Sequence, residues 1–276
     1  MRIWIMAGVT FREAARKRIL WMALAAGAAF LALFATALHF QVEAFQHALV
    51  SSLVRKEVLN NMLMTGLYAA DLLTVVMTIL LSVDTLSGEI ASGTIQAVAT
   101  KPVHRWELLA GKWLGFSLML TMYMAFMVLG LNAITYGIGG IVAPHLHYGF
   151  GLIWLESMLL LSVTLFFGTT FSTLTNGVLA LGLHGLAFLG GWIEQVGAFT
   201  KTPKAVNLGI IASLLIPSEA LWRRASFEMQ SPLAGALRLN PFSAVSVPSP
   251  LMVGYAALYT LAFLALAFWR LQRRDL

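Results

Sequence analysis

Cysteine is absent from all 276 residues, which excludes disulfides, iron–sulfur clusters and thiolate zinc sites. Charge is nearly as scarce. Asp, Glu, Lys and Arg make up 11% of the chain, against about a quarter in an ordinary soluble domain. No GxxxxGK[ST] phosphate loop, no HExxH pair and no GxSxG elbow occurs, so no enzyme signature of those kinds is present. Without a phosphate loop, energy for any work must come from a partner or an ion gradient. What fills the chain instead is apolar, 59% of it, in runs long enough to cross a bilayer. The formal charge of +6 would suggest nucleic acid in a soluble protein. Here the basic residues flank apolar runs, as the positive-inside rule requires, and no nucleic-acid partner is expected.

The expected fold is all-α, a polytopic integral membrane protein with six transmembrane helices in one domain, 1–276. The spans are read at Leu20–Phe40, Gly66–Val83, Leu108–Ile134, Gly149–Phe171, Gly177–Ile193 and Leu251–Trp269. Three basic clusters orient them: Arg12, Arg16, Lys17 and Arg18; Lys101, Arg105 and Lys112; and Arg270, Arg273 and Arg274. Six spans place all three in the cytoplasm, with both termini there. The first apolar run is too long for a cleaved signal-peptide core and is expected to be retained.

Two flanking pieces carry helical patterns. Residues 1–19 read as an interfacial helix, with Trp4, Gly8, Phe11 and Ala15 on one face and Arg12, Glu13, Arg16 and Lys17 gathered opposite, Glu13 and Lys17 forming an i, i+4 pair. It is either a topology anchor or an elbow helix that meets an ATPase. Residues 194–250 form a long outer loop whose Lys201, Lys204, Arg223, Arg224 and Arg238 run against the charge rule. Its apolar stretch Val206–Ile216 is short for a span and reads as interfacial or re-entrant. Ser218 is expected to cap a following helix with Leu221, Trp222, Ala225 and Met229 on one face, giving a helical cap on the extracytoplasmic face before the sixth span.

The most informative stretch is Asp84–Lys112, DTLSGEIASGTIQAVATKPVHRWELLAGK, a charged island between apolar spans that must sit in water. Leu86, Ile90 and Val98 can share a helical face. Gly88 and Gly93 suit helix ends or close backbone approach, and Lys101-Pro102 ends any helix. SGEI, then GTI, then Lys-Pro with Arg105 following, then Gly111-Lys112, is a pattern that resembles the ABC-2-type permeases of ABC transporters. TFREAARKRILW is similar to the start of the group containing the nitrous-oxide reductase maturation permease, and IPSEALWRRASFEMQSP looks like a stretch found in related permeases.

That resemblance implies a permease subunit of an ATP-driven transporter, by expectation an exporter, that is not itself an enzyme. Two permease subunits, a homodimer by expectation, would each bind an ATP-binding cassette ATPase that carries the ATP and magnesium; this chain would bind no cofactor. An extracytoplasmic accessory protein is a further expected partner, and the setting is a bacterial or archaeal cell membrane. The loop 84–107 would hold a coupling helix at Leu86–Thr100, with Ser87, Gly88, Glu89, Gly93, Thr94, Lys101, Pro102 and Arg105 as its docking residues. Glu89 would meet a basic residue of the ATPase. Arg12, Glu13 and Arg16 would mark the elbow helix.

Some residues stand outside this pattern. His184, Glu156 and Asp71 fall within spans, where an ionisable group is a functional hypothesis by default. They support an alternative, an ion-coupled secondary transporter or channel using His184 and Glu156, although they fall at different depths with no evident partner. The competing reading of His184 is a hydrogen bond to a neighbouring helix. His145 and His147 lack a third ligand, so no metal site is expected. Gly177, Gly182, Gly185, Gly190 and Gly191 make the fifth span glycine-rich, which favours close helix packing. The aliphatic and aromatic spans suit a lipid-like cargo and suit lipid-facing surface equally.

Overall fold

The computed structural model of the chain describes residues 2–47, 51–91, 104–231 and 246–273. The regular elements among them are ten helices: α1 (Arg2–Arg16), α2 (Arg18–His47), α3 (Ser52–Ser82), α4 (Ser87–Ala91), α5 (Arg105–Gly139), α6 (Leu146–Gly168), α7 (Thr173–Phe199), α8 (Pro203–Leu215), α9 (Ser218–Met229) and α10 (Pro250–Arg273). Six of them, α2, α3, α5, α6, α7 and α10, are long and apolar enough to cross a membrane. The chain is an all-α, multi-pass membrane protein.

Every span expected from hydropathy lies at least largely inside one of these helices, but the helices are longer. The second begins at Ser52, not Gly66, because the Ser51 hydroxyl caps it by accepting from the Val54 amide at 3.4 Å. A polar helical extension is invisible to a hydropathy window. The third starts at Arg105, where Glu107 accepts from the His104 amide at 3.0 Å, and ends at Gly140, held in the left-handed region at φ 72°.

Burial sorts the bundle. In the apolar windows of α3, α5 and α6 more than half of the residues are buried, against 17% in α2 and in α10. So α3, α5 and α6 form the centre, and α2 and α10 keep wide faces for lipid or a partner. The core is built from Leu63, Leu67, Met124, Met127, Leu131 and Met158. Polar pins cross it: Trp113 Nε1 donates to Ser162 Oγ at 3.1 Å, and Trp154 Nε1 to Thr121 Oγ1 at 2.9 Å, fixing α5 against α6.

Helix α1 packs along the first turns of α5. It buries Ala7, Thr10 and Ala14, while Trp4, Ile5 and Val9 stay exposed. Gly111 and Gly115 make this possible: a Cβ at Gly111 would collide with Met6, and one at Gly115 would sit 2.8 Å from the Ala7 carbonyl. Arg12, Glu13 and Arg16 are exposed. Because α1 ends at Arg16, Lys17 stands in the bend before α2 and not one helical turn above Glu13.

The region before the sixth span is a bent pair of helices. α8 runs back along α7, then bends by 109° into α9. Close packing of α7 on α8 rests on glycines: a Cβ on Gly197 would sit 2.7 Å from that of Ala205, and Gly190 has no room for one against Ala212. α9 starts at Ser218, whose hydroxyl is 3.0 Å from His184 Nδ1, nearly halfway along α7. It ends with Met229 packed on Gly149, at the start of α6. The pair is therefore a hairpin whose bend lies beside the middle of α7 and whose second arm returns to the start of α6, a shape that fits a re-entrant loop. Pro217, not Ser218, holds the cap position of α9. The Ser218 hydroxyl goes to the buried imidazole instead.

A helix that stops inside a bilayer leaves carbonyls without partners. Here α10 supplies them: Tyr255 donates its hydroxyl to the Leu214 carbonyl at 2.6 Å and Tyr259 to that of Leu215 at 2.8 Å.

Candidate functional site

Two polar assemblies stand out, at opposite ends of the apolar core. The first surrounds α4. The Ser87 hydroxyl is 2.8 Å from Thr173 Oγ1 at the start of α7, and Thr173 also donates to Asp84 Oδ1 at 3.1 Å. Asn176 Nδ2 donates to the carbonyls of Val83 and Thr164, both at 3.0 Å, stitching the end of α3 to α6 and α7. Glu89 reaches across to Lys112 of α5, with Oε1 to Nζ at 2.5 Å. Arg105 donates to the Leu271 and Gln272 carbonyls at 3.4 and 3.3 Å, so it secures the end of α10.

Of the residues picked from the sequence around this loop, Ser87, Gly88, Glu89 and Arg105 are thus brought to one end of the bundle. Gly88 lies under the Asp84 carboxylate, where a Cβ would collide with Oδ1. Gly93, Thr94, Lys101 and Pro102, with most of the Leu86–Thr100 stretch, lie outside the described residues. Glu89, expected to face a partner, has an intramolecular partner in Lys112. The pair is asymmetric, with side-chain exposures of 5% for Lys112 and 21% for Glu89. Removing the carboxylate strands a buried ammonium, whereas removing the ammonium leaves a carboxylate that can turn to water. Glu89→Ala should therefore cost roughly 1–3 kcal/mol and more than Lys112→Ala. Thermal melts of the two variants check the order; equal losses would contradict it.

The second assembly lies where the hairpin meets α3, α6 and α7. Tyr68 and Trp222 pack with ring centroids 5.2 Å apart. Asp71 and Glu219 stand one turn along from each on the facing helices. Glu156 enters from α6, and the three carboxyl groups are close enough to act on one another electrostatically. Beside them Arg223 Nη1 pairs with Glu194 Oε1 at 2.8 Å, and Arg223 Nη2 donates to Ser213 Oγ at 3.0 Å. Ser246 Oγ donates to the same Glu194 oxygen at 2.6 Å. Arg224 pairs with Glu228 at 2.6 Å on the outer face of α9.

These contacts account for two of the five basic residues that run against the charge rule. Arg223 and Arg224 are neutralised inside the hairpin, so they do not weigh as free loop charges. Asp71 on α3 and Glu156 on α6, for which the sequence offered no evident partner, lie near enough to act on one another electrostatically. His184 hydrogen-bonds a neighbouring helix through Ser218. Glu219, Glu194 and Arg223 were not recognisable as a site. The one available signal was three ionisable residues in a segment whose apolar parts fit membrane depth. No group of three His, Cys, Asp or Glu among the described residues is arranged to hold a metal ion.

A family model described as "ABC-2 family transporter protein" matches residues 4–276. A search of curated proteins returns no match.

Proposed function

Because the chain belongs to the ABC-2 family of transporter proteins, a non-catalytic family of membrane permeases, we propose that it is the permease subunit of an ATP-driven exporter, coupled to a separate ATP-binding cassette ATPase that carries ATP and magnesium. In this reading α4 and the loop after it face the cytoplasm and form the coupling element. Ser87, Gly88, Glu89, Gly93, Thr94, Lys101, Pro102 and Arg105 belong to it, and α1, with Arg12, Glu13 and Arg16 exposed, is the elbow beside it. Two copies of the chain complete the membrane unit in a bacterial or archaeal cell membrane, with both termini in the cytoplasm.

The observation that carries the reading is how α4 is tied. Ser87 joins it to α7, Glu89 joins it to α5, and it continues from the end of α3. A push on α4 would be shared by three spans at once, which a coupling element requires, since the nucleotide can act only by biasing a linked two-state element.

The test is a mild-detergent pulldown of tagged protein from its host, with mass spectrometry of what is retained. The expected result is an ATP-binding cassette subunit bound to wild type and lost from Gly93→Pro and Lys101→Glu, with both variants melting as wild type does. A chain that purifies alone and moves solute into liposomes under an ion gradient without ATP would overturn it in favour of ion-coupled transport.

A further inference from the structure

The buried carboxyl cluster at the hairpin has no role in the coupling reading, and it poses a physical problem of its own. Asp71, Glu156 and Glu219 are 5%, 1% and 6% exposed. Neither oxygen of Glu156 has a hydrogen-bond partner, and Asp71 Oδ1 has none either. Three ionised carboxylates at this depth would be intolerable without cations. Among the described residues the cation in reach is Arg223, and it is already engaged by Glu194 and Ser213. The other titratable groups facing the cluster are Tyr68 on α3 and Glu194 and His184 on α7, none of which brings a fixed positive charge.

The cavity beside Glu219 limits what could neutralise that end of the cluster. A cavity of about 20 Å³ lies against Glu219, lined also by Tyr68, Gly191, Trp192, Gln195 and Arg223. That is room for one water molecule, which needs about 10–15 Å³, and not for an organic cation. No metal-ligand constellation is present among the described residues. The remaining neutralising species of the right size is the proton.

We propose that Asp71, Glu156 and Glu219 form a proton-binding site that fastens the re-entrant hairpin to α3 and α6. With protons bound, the carboxyl groups are neutral and the hairpin can stay packed on α3 and α6. When the protons are lost, the ionised groups repel one another and weaken the packing of the hairpin on α3 and α6. The site is distinct from the α4 assembly, and its test does not depend on an ATPase.

The experiment is infrared spectroscopy of the full chain in lipid nanodiscs, together with thermal melts across pH. Wild type at neutral pH is expected to show the carbonyl stretch of protonated carboxylic acids, lost on alkaline titration and reduced in Glu156→Gln. The folded state would then bind protons that the unfolded state releases, so stability falls as pH rises. The melting temperature should drop by at least about 4 °C from mildly acidic to alkaline buffer, and Glu156→Gln should flatten that slope. Should that variant fail to fold, the wild-type band still decides, with Asp71→Asn and Glu219→Gln assigning it. No protonated-acid band in wild type, a band unchanged in all three variants, or an unaltered pH slope in a folded Glu156→Gln would each overturn the proposal.

Discussion

Arg223→Ala should destabilise the protein by about 3–5 kcal/mol, the cost of leaving one partner of a buried ion pair uncompensated. Both side chains are sealed, with 4% and 5% exposure, so solvent cannot stand in for the lost partner. Glu194 would keep only the Ser246 hydroxyl on its paired oxygen. Ser213, on α8, would lose its donor as well. Since Arg223 ties α9 to both α7 and α8, its loss should open the hairpin before the bundle melts, and limited proteolysis in the 203–229 region would show it. The paired replacement Arg223→Met with Glu194→Gln removes both charges and should recover a large part of the stability, as a double-mutant cycle would show. A loss below about 1 kcal/mol for Arg223→Ala would mean that water reaches the pair, and the re-entrant packing would then be wrong.

Gly209→Val should be nearly as damaging, at about 3 kcal/mol or more, the upper part of the range for overpacking. A Cβ there would collide with that of Glu194 and lie 2.6 Å from the Gly190 carbonyl and 2.9 Å from the Glu194 Cα. Two of those atoms belong to backbone, which cannot swing aside as a side-chain tip can. The control is Gly182→Ala on α7, the helix that Gly209 packs against, where a Cβ meets nothing within 4 Å. That change should be neutral or stabilise by up to about 1 kcal/mol through helix propensity. Detergent melts of the two variants would separate the effect of contact from that of composition. Equal behaviour would show that α7 and α8 are not in close contact.

Much of the bundle was legible because lipid imposes a one-dimensional rule. A run such as Leu251–Trp269 must be a helix wherever it packs, since its backbone has no water to bond. The family pattern at Ser87–Glu89 and Gly111-Lys112 was legible for the same local reason, being contiguous in sequence. The lengths were less so: Arg55, Lys56 and Glu57 continue α3 beyond the apolar run, and hydropathy falls there while the helix does not. The bond from Lys112 to Glu89 was not legible, because the two lie 23 residues apart and meet across a helix packing that no local pattern encodes.

The outer segment 194–250 shows the boundary most clearly. Its charges argued for water, and a helix on the membrane face was the natural expectation. Arg223 finds Glu194 and Arg224 finds Glu228, so these two charges are neutralised within the fold and do not require the hairpin to sit in water. Tyr255 and Tyr259, from a helix some forty residues away, then satisfy the broken end.

By itself, then, the sequence determined the solvent, the six helices, the absence of thiol chemistry and the family pattern of the loop, because each depends on the composition of a short contiguous run. The tertiary structure alone decided that Asp71, Glu156 and Glu219 lie near one another, that Gly111 and Gly115 seat α1, and that α8 and α9 fold back on α7 and α6. Those outcomes depend on which charges and small residues face one another across helices, and a charge alone in sequence has no sign of whether its partner is water or another side chain.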